Sequence, residues 1–277
     1  MQNALTVDVE EWFHICGVEA LAPPAWDRLA SRVQLTTHLL LQEFARADVK
    51  ATFLFLGWVA DRHPDLVKDV LRAGHCIGSH SYSHQRVFTM TAEAFDVDLN
   101  RSLRALNNAG AAEIRCFRAP EWSIRQDSLW AFEVLARNGL RIDASMAPVR
   151  LVGDHRGPRH PHLRATAAGP VLEMPPLVAD RFGQVMPIGW GWGLRMSSPA
   201  RLLRTMDREN RAGRPAVLTI HPWELDPEPP RVQLSPRLRF AHYFRLGGFA
   251  GRLRELLAHG RFAPLETVAA PFLARSQ

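Results

Sequence analysis

Short apolar runs alternate with amphipathic stretches along the first two thirds of the chain, as they do in parallel β/α units. The apolar runs predict strands, in chain order, over residues 5–9, 50–56, 75–77, 116–120, 139–143 and 216–221. Apolar residues at helical spacing predict helices over residues 31–47, 64–73, 92–108, 128–138 and 200–212. Residues 149–200, rich in Pro, Gly, His and Trp, are expected to form loops and short strands over a cleft. The chain has 277 residues and no linker or internal repeat, so we expect one α/β domain.

Two carboxylates and two histidines stand out at predicted strand ends. Asp8 and Glu10 are two residues apart on the first strand, so their side chains leave one face while Val9 leaves the other. His80 and His84 are four residues apart, just after the third strand. Two histidines and one carboxylate form a common open zinc site, and the second carboxylate is then free to act as a base. The zinc-protease pattern His-Glu-x-x-His is absent here, because no glutamate follows the first histidine.

Three further polar residues, Arg118, Asp143 and His221, also fall at or just past predicted strand ends. Taken singly, Arg118 suits a structural ion pair, Asp143 a loop start and His221 a buried imidazole. Active sites of β/α barrels are assembled at the C-terminal ends of the strands. The convergence of residues from several strand ends therefore predicts one polar cleft.

Composition narrows the class of partner. The formal net charge of +6 comes almost entirely from arginine, since Lys50 and Lys68 are the only lysines, and the arginines are dispersed along the chain. This charge suits an anionic glycan, a phosphate-linked carrier or an acidic membrane surface, and it also fits a simple composition bias. Nucleic acid is disfavoured, because no recognition motif or basic patch with stacking aromatics accompanies the charge.

The sequence shows neither an export signal nor a membrane segment. Met1 is followed almost directly by the apolar first strand, and no run reaches the roughly 18 apolar residues of a membrane helix. We therefore expect a cytoplasmic protein, peripheral at most to the inner membrane. Cys16, Cys76 and Cys116 are scattered, which argues against a disulfide framework or a thiolate zinc site and predicts small buried residues.

In their order, these residues resemble the five motifs of the polysaccharide deacetylase family, the carbohydrate esterases of family 4 with a NodB-type homology domain. Residues 6–10 (TVDVE) look like the first motif, usually Thr-Phe-Asp-Asp-Gly, and residues 80–84 (HSYSH) match the second, His-[Ser/Thr]-x-x-His. Residues 118–122 (RAPEW) are similar to the third, Arg-x-Pro-aromatic, with one residue more before the aromatic. Residues 143–145 (DAS) match the fourth, Asp-x-Ser, and residues 218–221 (LTIH) look like the fifth, a Leu and a His near a strand end.

The resemblance covers nearly the whole chain and implies a fold and an activity. It implies a distorted β/α barrel of about seven strands, as one domain over residues 1–277 with a subfamily-specific segment from about residue 222 to 277. Residues 221–227 (HPWELDP) resemble the subfamily found with exopolysaccharide and exosortase loci. Family members remove acetyl groups from N-acetylated sugars in glycans.

The resemblance also implies a metal centre. A divalent ion, zinc above all, held by Glu10, His80 and His84 would polarise the acetyl carbonyl and lower the pKa of bound water from about 15.7 towards about 7. Asp8 would then be the general base. Family members usually carry a metal-binding Asp directly after that base, where this chain has Val9, and Glu10 is the substitute on the correct face.

The remaining motif residues receive supporting roles. Arg118 would hold the Asp8 carboxylate by a charge-assisted pair. His221 would protonate the leaving nitrogen, and Asp143 would hold its other ring nitrogen and raise its pKa.

Four apolar or aromatic residues are candidates for the wall of a sugar-binding cleft: Trp122, Leu218, Trp190 and Trp192. Such residues are more often core, but aromatic rings suit the apolar faces of sugars. The expected substrate is an N-acetylhexosamine in a short exopolysaccharide precursor, either free or linked to a lipid carrier, with little activity on insoluble chitin. Two alternatives stay open, namely a metal-independent amidohydrolase acting on a small amide or ureide, and a catalytically silent glycan-binding module.

Overall fold

The computed structural model describes residues 1–150, 152–181 and 183–274 of the chain. Its strands are β1 Asn3–Val9, β2 Thr52–Phe55, β3 Cys76–Ser79, β4 Cys116–Phe117, β5 Ile142–Asp143, β6 His162–Arg164, β7 Val171–Glu173, β8 Val178–Arg181, β9 Gln184–Pro187, β10 Val217–Ile220 and β11 Phe262–Ala263. Its α-helices are α1 Val33–Ala47, α2 Gly57–Arg62, α3 Pro64–Arg72, α4 Ala92–Asn108, α5 Ala131–Arg137, α6 Gly191–Met196, α7 Pro199–Arg211, α8 Pro236–Tyr243, α9 Phe249–His259 and α10 Leu265–Ala274. None of the helices in these ranges has both the length and the apolar character that a membrane crossing requires.

A curled sheet of parallel strands organises the molecule. Parallel pairing runs in the order β10-β1-β2-β3-β4-β5-β7, β6 adds an antiparallel edge, and β11 pairs with the first residues of β1. Between β7 and β10 the chain bridges the opening, since the Leu177 amide donates to the Val217 carbonyl (2.9 Å) and the Thr219 amide to the Gly189 carbonyl (2.8 Å). The predicted α/β barrel of about seven strands is confirmed.

Strand alternation divides β1 between two environments. Leu5, Val7 and Val9 face the large core that lies between the sheet and the surrounding helices. Ala4 belongs instead to a second cluster inside the curl, and α10 contributes Leu265 to that cluster from below. The lower interior of the curl is therefore apolar and filled, so the polar side chains higher on the same face open only towards the C-terminal ends of the strands.

Several predicted elements differ from the structure. Gly57 was expected only to end the second strand, but it also begins α2, which packs on α4. Residues 149–200 were expected to be loops and short strands over a cleft. Their described part forms β6 to β9, α6 and the start of α7, and it fills the gap in the sheet. The patterns gave no elements beyond residue 222, where the structure has α8, α9, β11 and α10.

Candidate functional site

The two carboxylates of the first strand lie together, as strand alternation predicts. Asp8 is the last inward-facing residue of β1, and Glu10 follows immediately after the strand; both are buried. Val9 points to the opposite face, into the core. The Trp223 indole Nε1 donates to Glu10 Oε1 (3.2 Å) and fixes one carboxylate oxygen, which leaves Oε2 to face the histidines.

Both predicted histidines reach that oxygen. Glu10 Oε2 lies 2.6 Å from His84 Nε2 and 3.6 Å from His80 Nε2, and one ligand atom from each residue falls within 4.8 Å of the others. His80 Nδ1 is 2.8 Å from the Arg118 carbonyl oxygen, so Nδ1 carries the proton and Nε2 presents its lone pair. A carbonyl partner on the second ring nitrogen is the usual way in which a metal-binding histidine is oriented.

A strained turn delivers His84 to this position. Ser81 and His84 both have positive φ, 65° and 52°, which is uncommon for residues other than glycine. Asp98 stabilises the turn by accepting hydrogen bonds from the backbone amides of Tyr82 (2.7 Å) and Ser83 (3.1 Å). Strain that the surroundings hold in place is typical of functional sites.

The buried charges suit a cation. Burial raises the pKa of the Glu10 carboxyl, but the charge of His84 and its contact with Oε2 at 2.6 Å outweigh burial and hold that pKa well below its usual range. Asp8 Oδ1 is buried and has no hydrogen-bond partner among the described residues. An ionised carboxylate, two imidazole nitrogens and a neighbouring orphaned carboxylate oxygen are a donor set that zinc accepts. The residues present therefore fit a divalent metal.

Arg118 anchors the inner wall of the site. Its guanidinium is fully buried, and Nη1 lies 3.7 Å from Asp8 Oδ2, as the sequence predicts. Nη1 also donates to Thr219 and Nη2 to Thr6 (3.1 Å), which are paired residues of β10 and β1. The cation lies 4.0 Å above the ring of Trp122. These contacts leave the guanidinium little freedom and keep its charge beside Asp8.

His221 lies on the other side of Asp8. Its Nε2 is 3.9 Å from Asp8 Oδ2 and 3.9 Å from Glu10 Oε1, while its Nδ1 is 3.1 Å from Glu224 Oε2. The prediction that Asp143 holds this second nitrogen is wrong, because Glu224 occupies that place. Burial lowers the pKa of His221, but Glu224, followed by the charges of Glu10 and Asp8, outweighs burial and the net shift is upward.

Glu224 is itself paired with a fully buried residue, Arg195, which the sequence did not indicate as part of the site. Arg195 Nε lies 2.9 Å from Glu224 Oε1, in an ion pair with both side chains excluded from solvent. Arg195 also donates to the carbonyl oxygens of His242 (3.1 Å) and Phe244 (2.6 Å). A local sequence pattern could have identified Glu224. His221 is followed directly by proline and, three residues on, by Glu224, and these positions form a reciprocal helix cap.

Asp143 belongs to a different buried group. Ser145 Oγ donates to it (2.5 Å), and it pairs with Glu173, which accepts the Met146 amide (3.0 Å). Burial and the Asp143 charge raise the pKa of Glu173 well above its usual value, and burial raises that of Asp143. The pair therefore holds a proton between two strands of the sheet.

The predicted sugar-contacting residues are mostly buried. Leu218 is fully buried in the core on the face opposite to Thr219, so its assignment to the cleft wall is wrong. Trp122 and Trp190 pack against each other, with ring centroids 4.8 Å apart, and are 5% and 7% exposed. Trp192 is partly exposed but contacts Phe240 of α8, away from that pair. A sugar contact at the three tryptophans stays a prediction.

A cavity of about 470 Å³ opens beside His84, lined by residues between 14 and 26 and between 83 and 89. His14 stacks on His84 with ring centroids 5.6 Å apart. Its Nδ1 accepts the Glu11 amide (3.1 Å), so Nε2 carries the proton, and that N–H has no partner among the described residues. Cys16 was expected to be a small buried residue, but it is only half-buried, and its Sγ lies 3.5 Å from His84 Nδ1. Sequence reasoning gave no signal for either contact.

Comparison with family models divides the chain into two matched ranges. Residues 26–141 match the model described as polysaccharide deacetylase, and residues 144–270 match a domain of unknown function, DUF3473. His80, His84 and Arg118 lie in the first range, and His221 and Glu224 lie in the second. One sheet contains strands from both ranges. The single domain over residues 1–277 stays a prediction.

The individual proteins to which the chain is similar include deacetylases. The chain is 31% identical over 98 residues to a peptidoglycan-N-acetylglucosamine deacetylase of Bacillus cereus, which is 35% of this chain and 36% of that protein. It is 29% identical over 120 residues to a chitooligosaccharide deacetylase of Rhizobium leguminosarum bv. trifolii, 43% of this chain and 52% of that protein. The chain thus spans about a third to a half of these relatives' lengths. A solved structure of a candidate polysaccharide deacetylase from Mycobacterium smegmatis superimposes with a TM-score of 0.64 at 19% identity, covering 99% of this chain and 92% of that one.

Proposed function

We propose that the chain removes acetyl groups hydrolytically from N-acetylhexosamine residues of a glycan, because residues 26–141 match the model described as polysaccharide deacetylase. The observation that carries the proposal is the convergence of a Glu/His/His group with Asp8 and His221 at the C-terminal ends of the strands. Amide hydrolysis needs an activated water, a stabilised oxyanion and a proton for the leaving nitrogen. The site offers a separate group for each task.

Glu10, His80 and His84 would hold a divalent metal, and zinc matches the two imidazoles and one carboxylate. When bound, such an ion supplies Lewis acidity towards the acetyl carbonyl and acidifies water. Glu10 is held ready for this role, because Trp223 fixes one oxygen and both histidines face the other.

Asp8 would act as the general base. Its Oδ1 has no protein partner, while its Oδ2 faces the Arg118 cation at 3.7 Å. The Arg118 cation is a charged partner on that side of the carboxylate and orients it. The free oxygen is therefore available to a water molecule at the site.

His221 would act as the general acid. It must be protonated before it can give a proton to the leaving amine, and Glu224 favours that form through a direct contact with Nδ1. Arg195 fixes Glu224 in turn, so the imidazole can present only Nε2 to the site. This carboxylate–histidine arrangement has the geometry of a positioned acid–base pair.

Replacing Glu224 by Gln tests this positioning role. We expect kcat to fall roughly tenfold to a hundredfold, part of the 10²–10⁴ that a general acid contributes. Glu224 raises the pKa of His221, and activity is lost as pH rises through the pKa of a required acid. The alkaline limb of the kcat profile should therefore move to lower pH in the variant, as measured by acetate release between about pH 6 and pH 10.

Glu173→Gln is the matched control for Glu224→Gln. Glu173 is also a buried carboxyl, but its raised pKa keeps it protonated, and a glutamine amide resembles that form. The alkaline limb should stay in place in this control. An unmoved limb in Glu224→Gln would remove Glu224 from the positioning role, whatever happens to stability.

We propose a soluble oligosaccharide, such as a precursor of an exopolysaccharide, as the substrate. The cavity beside His84 has a volume within the range of small-ligand sites, roughly 300–1,000 Å³. Its walls combine apolar residues such as Trp26 with His14, whose buried Nε2 has no hydrogen-bond partner among the described residues. A local depression of this size suits one short chain better than a flat crystalline surface.

Acetate release from defined substrates tests the proposal. The purified chain loaded with zinc should release acetate from soluble N-acetylated chitooligosaccharides, and a chelator should stop the reaction. Faster reaction on crystalline chitin or intact cell wall would contradict the substrate class. Activity that resists chelation would favour a metal-independent amidohydrolase, and inert, metal-free protein that still binds the oligosaccharide would favour a glycan-binding module.

A further inference from the structure

A basic and aromatic surface on the C-terminal part of the chain has no role in the reaction. We define the 231–245 surface by Arg231, Arg237, Arg239 and Arg245 together with the rings of Phe240 and Phe244. The two rings are 43% and 37% exposed, among the most exposed large apolar side chains of the described residues. They stack with centroids 4.5 Å apart, so they form one apolar ridge.

The charge of this surface is uncompensated. Residues 229–254 contain six arginines and no aspartate or glutamate. Of the six, Arg254 pairs with Glu43 and Arg252 donates to the Arg195 carbonyl. Within the described ranges, no carboxylate oxygen lies within 4 Å of the four arginines of the 231–245 surface. Four arginines of the chain therefore lie on this surface without an acidic partner among the described residues.

The arginines and rings share one groove. Arg231 and Arg239 line a cavity of about 440 Å³ together with Phe240, Tyr243 and Phe244. The Arg231 guanidinium lies 4.3 Å above the Tyr243 ring. Cations and exposed aromatic rings thus alternate over a short stretch of surface. This combination lets aromatic rings enter the boundary between headgroups and acyl chains while arginines meet lipid phosphates.

The same helix also contacts the candidate site. His242, between the two exposed phenylalanines on α8 and its end, stacks on Trp223 with ring centroids 4.3 Å apart. Trp223 in turn donates to Glu10. Two buried side chains, His242 and Trp223, therefore connect the 231–245 segment to Glu10.

We propose that the 231–245 surface docks the protein on a bilayer that contains anionic phospholipid. Uncompensated arginines complement the negative lipid phosphates, and attraction of this kind requires anionic lipid and weakens with salt. The exposed phenylalanine ridge supplies an apolar contact that a purely electrostatic partner would leave unused. The docking goes beyond the proposed hydrolysis and is measured without any substrate.

Vesicle flotation of the purified full chain tests the docking. The protein should float with vesicles of phosphatidylcholine and phosphatidylglycerol at 3:1, and stay in solution with phosphatidylcholine alone. Raising the salt concentration to about 0.5 M should lower the bound fraction. Arg237→Glu/Arg239→Glu should lower the partition coefficient by more than roughly tenfold, and Phe240→Ser/Phe244→Ser should weaken the binding that persists at high salt.

Arg104→Glu/Arg137→Glu is the matched control, because it makes the same change in net charge at two exposed arginines of α4 and α5. It should keep most of the binding. Absence of binding to the anionic vesicles would overturn the proposal, and so would an equal loss in the control. Tighter binding of an RNA oligonucleotide or an acidic peptide through Arg237 and Arg239 would assign the surface to that partner instead. Circular dichroism and acetate release check that each variant is folded.

Discussion

Asp8→Asn and His221→Ala are each expected to lower kcat by roughly two orders of magnitude or more while the metal stays bound, the scale of losing a general base or acid. Neither residue belongs to the Glu10/His80/His84 group, so metal content should remain near that of the unmodified protein. The two side chains face each other, with Asp8 Oδ2 lying 3.9 Å from His221 Nε2. The measurement is the steady-state rate of acetate release, with metal content determined by elemental analysis on the same samples.

Asp143→Asn provides the comparison for this pair. Asp143 is also a buried carboxyl at a strand end, but it contacts Ser145 and Glu173 and not His221. Its replacement should cost much less activity than replacement of Asp8. A His221→Ala enzyme that retains near-native kcat would exclude His221 as the acid. The double variant Asp8→Asn/His221→Ala should lose less than the product of the two single losses, because residues that act as a unit are not additive.

The parts of the fold that follow from periodicity were predictable. Alternation on β1 separates Asp8 and Glu10 from Val9, and the structure shows that separation. The same rule, applied to β10, would have excluded Leu218, because it has the opposite parity to Thr219 and His221. Leu218 matches the fifth motif, but its position on β10 directs its side chain into the core.

The partner of His221 could not be derived from the strand ends alone. Asp143 lies on β5, and four strands separate β5 from β10 along the curled sheet. Glu224 is three residues from His221, in the turn that Pro222 begins, and the turn itself brings its carboxylate to Nδ1. The carboxylate partner of His221 Nδ1 therefore comes from a residue three positions away in the same turn, where a residue from a distant strand, Asp143, was expected.

The C-terminal contribution to the site depends on packing that no short pattern encodes. Arg195 reaches Glu224 from α6 and binds carbonyl groups at the end of α8, residues separated by up to about fifty positions. These contacts form only when both helices are in place. In the sequence, the Gly-rich stretch before α6 indicated only loops, because glycine and tryptophan carry no periodic signal there.

Glu10→Gln is expected to abolish most metal binding and leave the fold intact. Glutamine keeps the shape of the side chain but removes the negative charge that faces His84 Nε2 at 2.6 Å. Loss of an outer-shell partner already weakens metal affinity roughly 10–100-fold, and loss of a ligand should cost more. The measurement is zinc affinity by calorimetry, together with a thermal melt of the metal-free protein.

Glu11→Gln is the control for that variant, since it removes a neighbouring buried carboxylate with a different partner. Glu11 accepts the backbone amide of Arg32 at 2.9 Å and is turned away from the histidines. Zinc affinity should therefore survive in Glu11→Gln and fall in Glu10→Gln. If the two variants bound zinc equally well, Glu10 would not be a ligand. Asp8, which faces His221 Nε2 at 3.9 Å, would then be the next candidate ligand among the described residues, and Asp8→Asn would have to lose the metal that the first prediction expects it to keep.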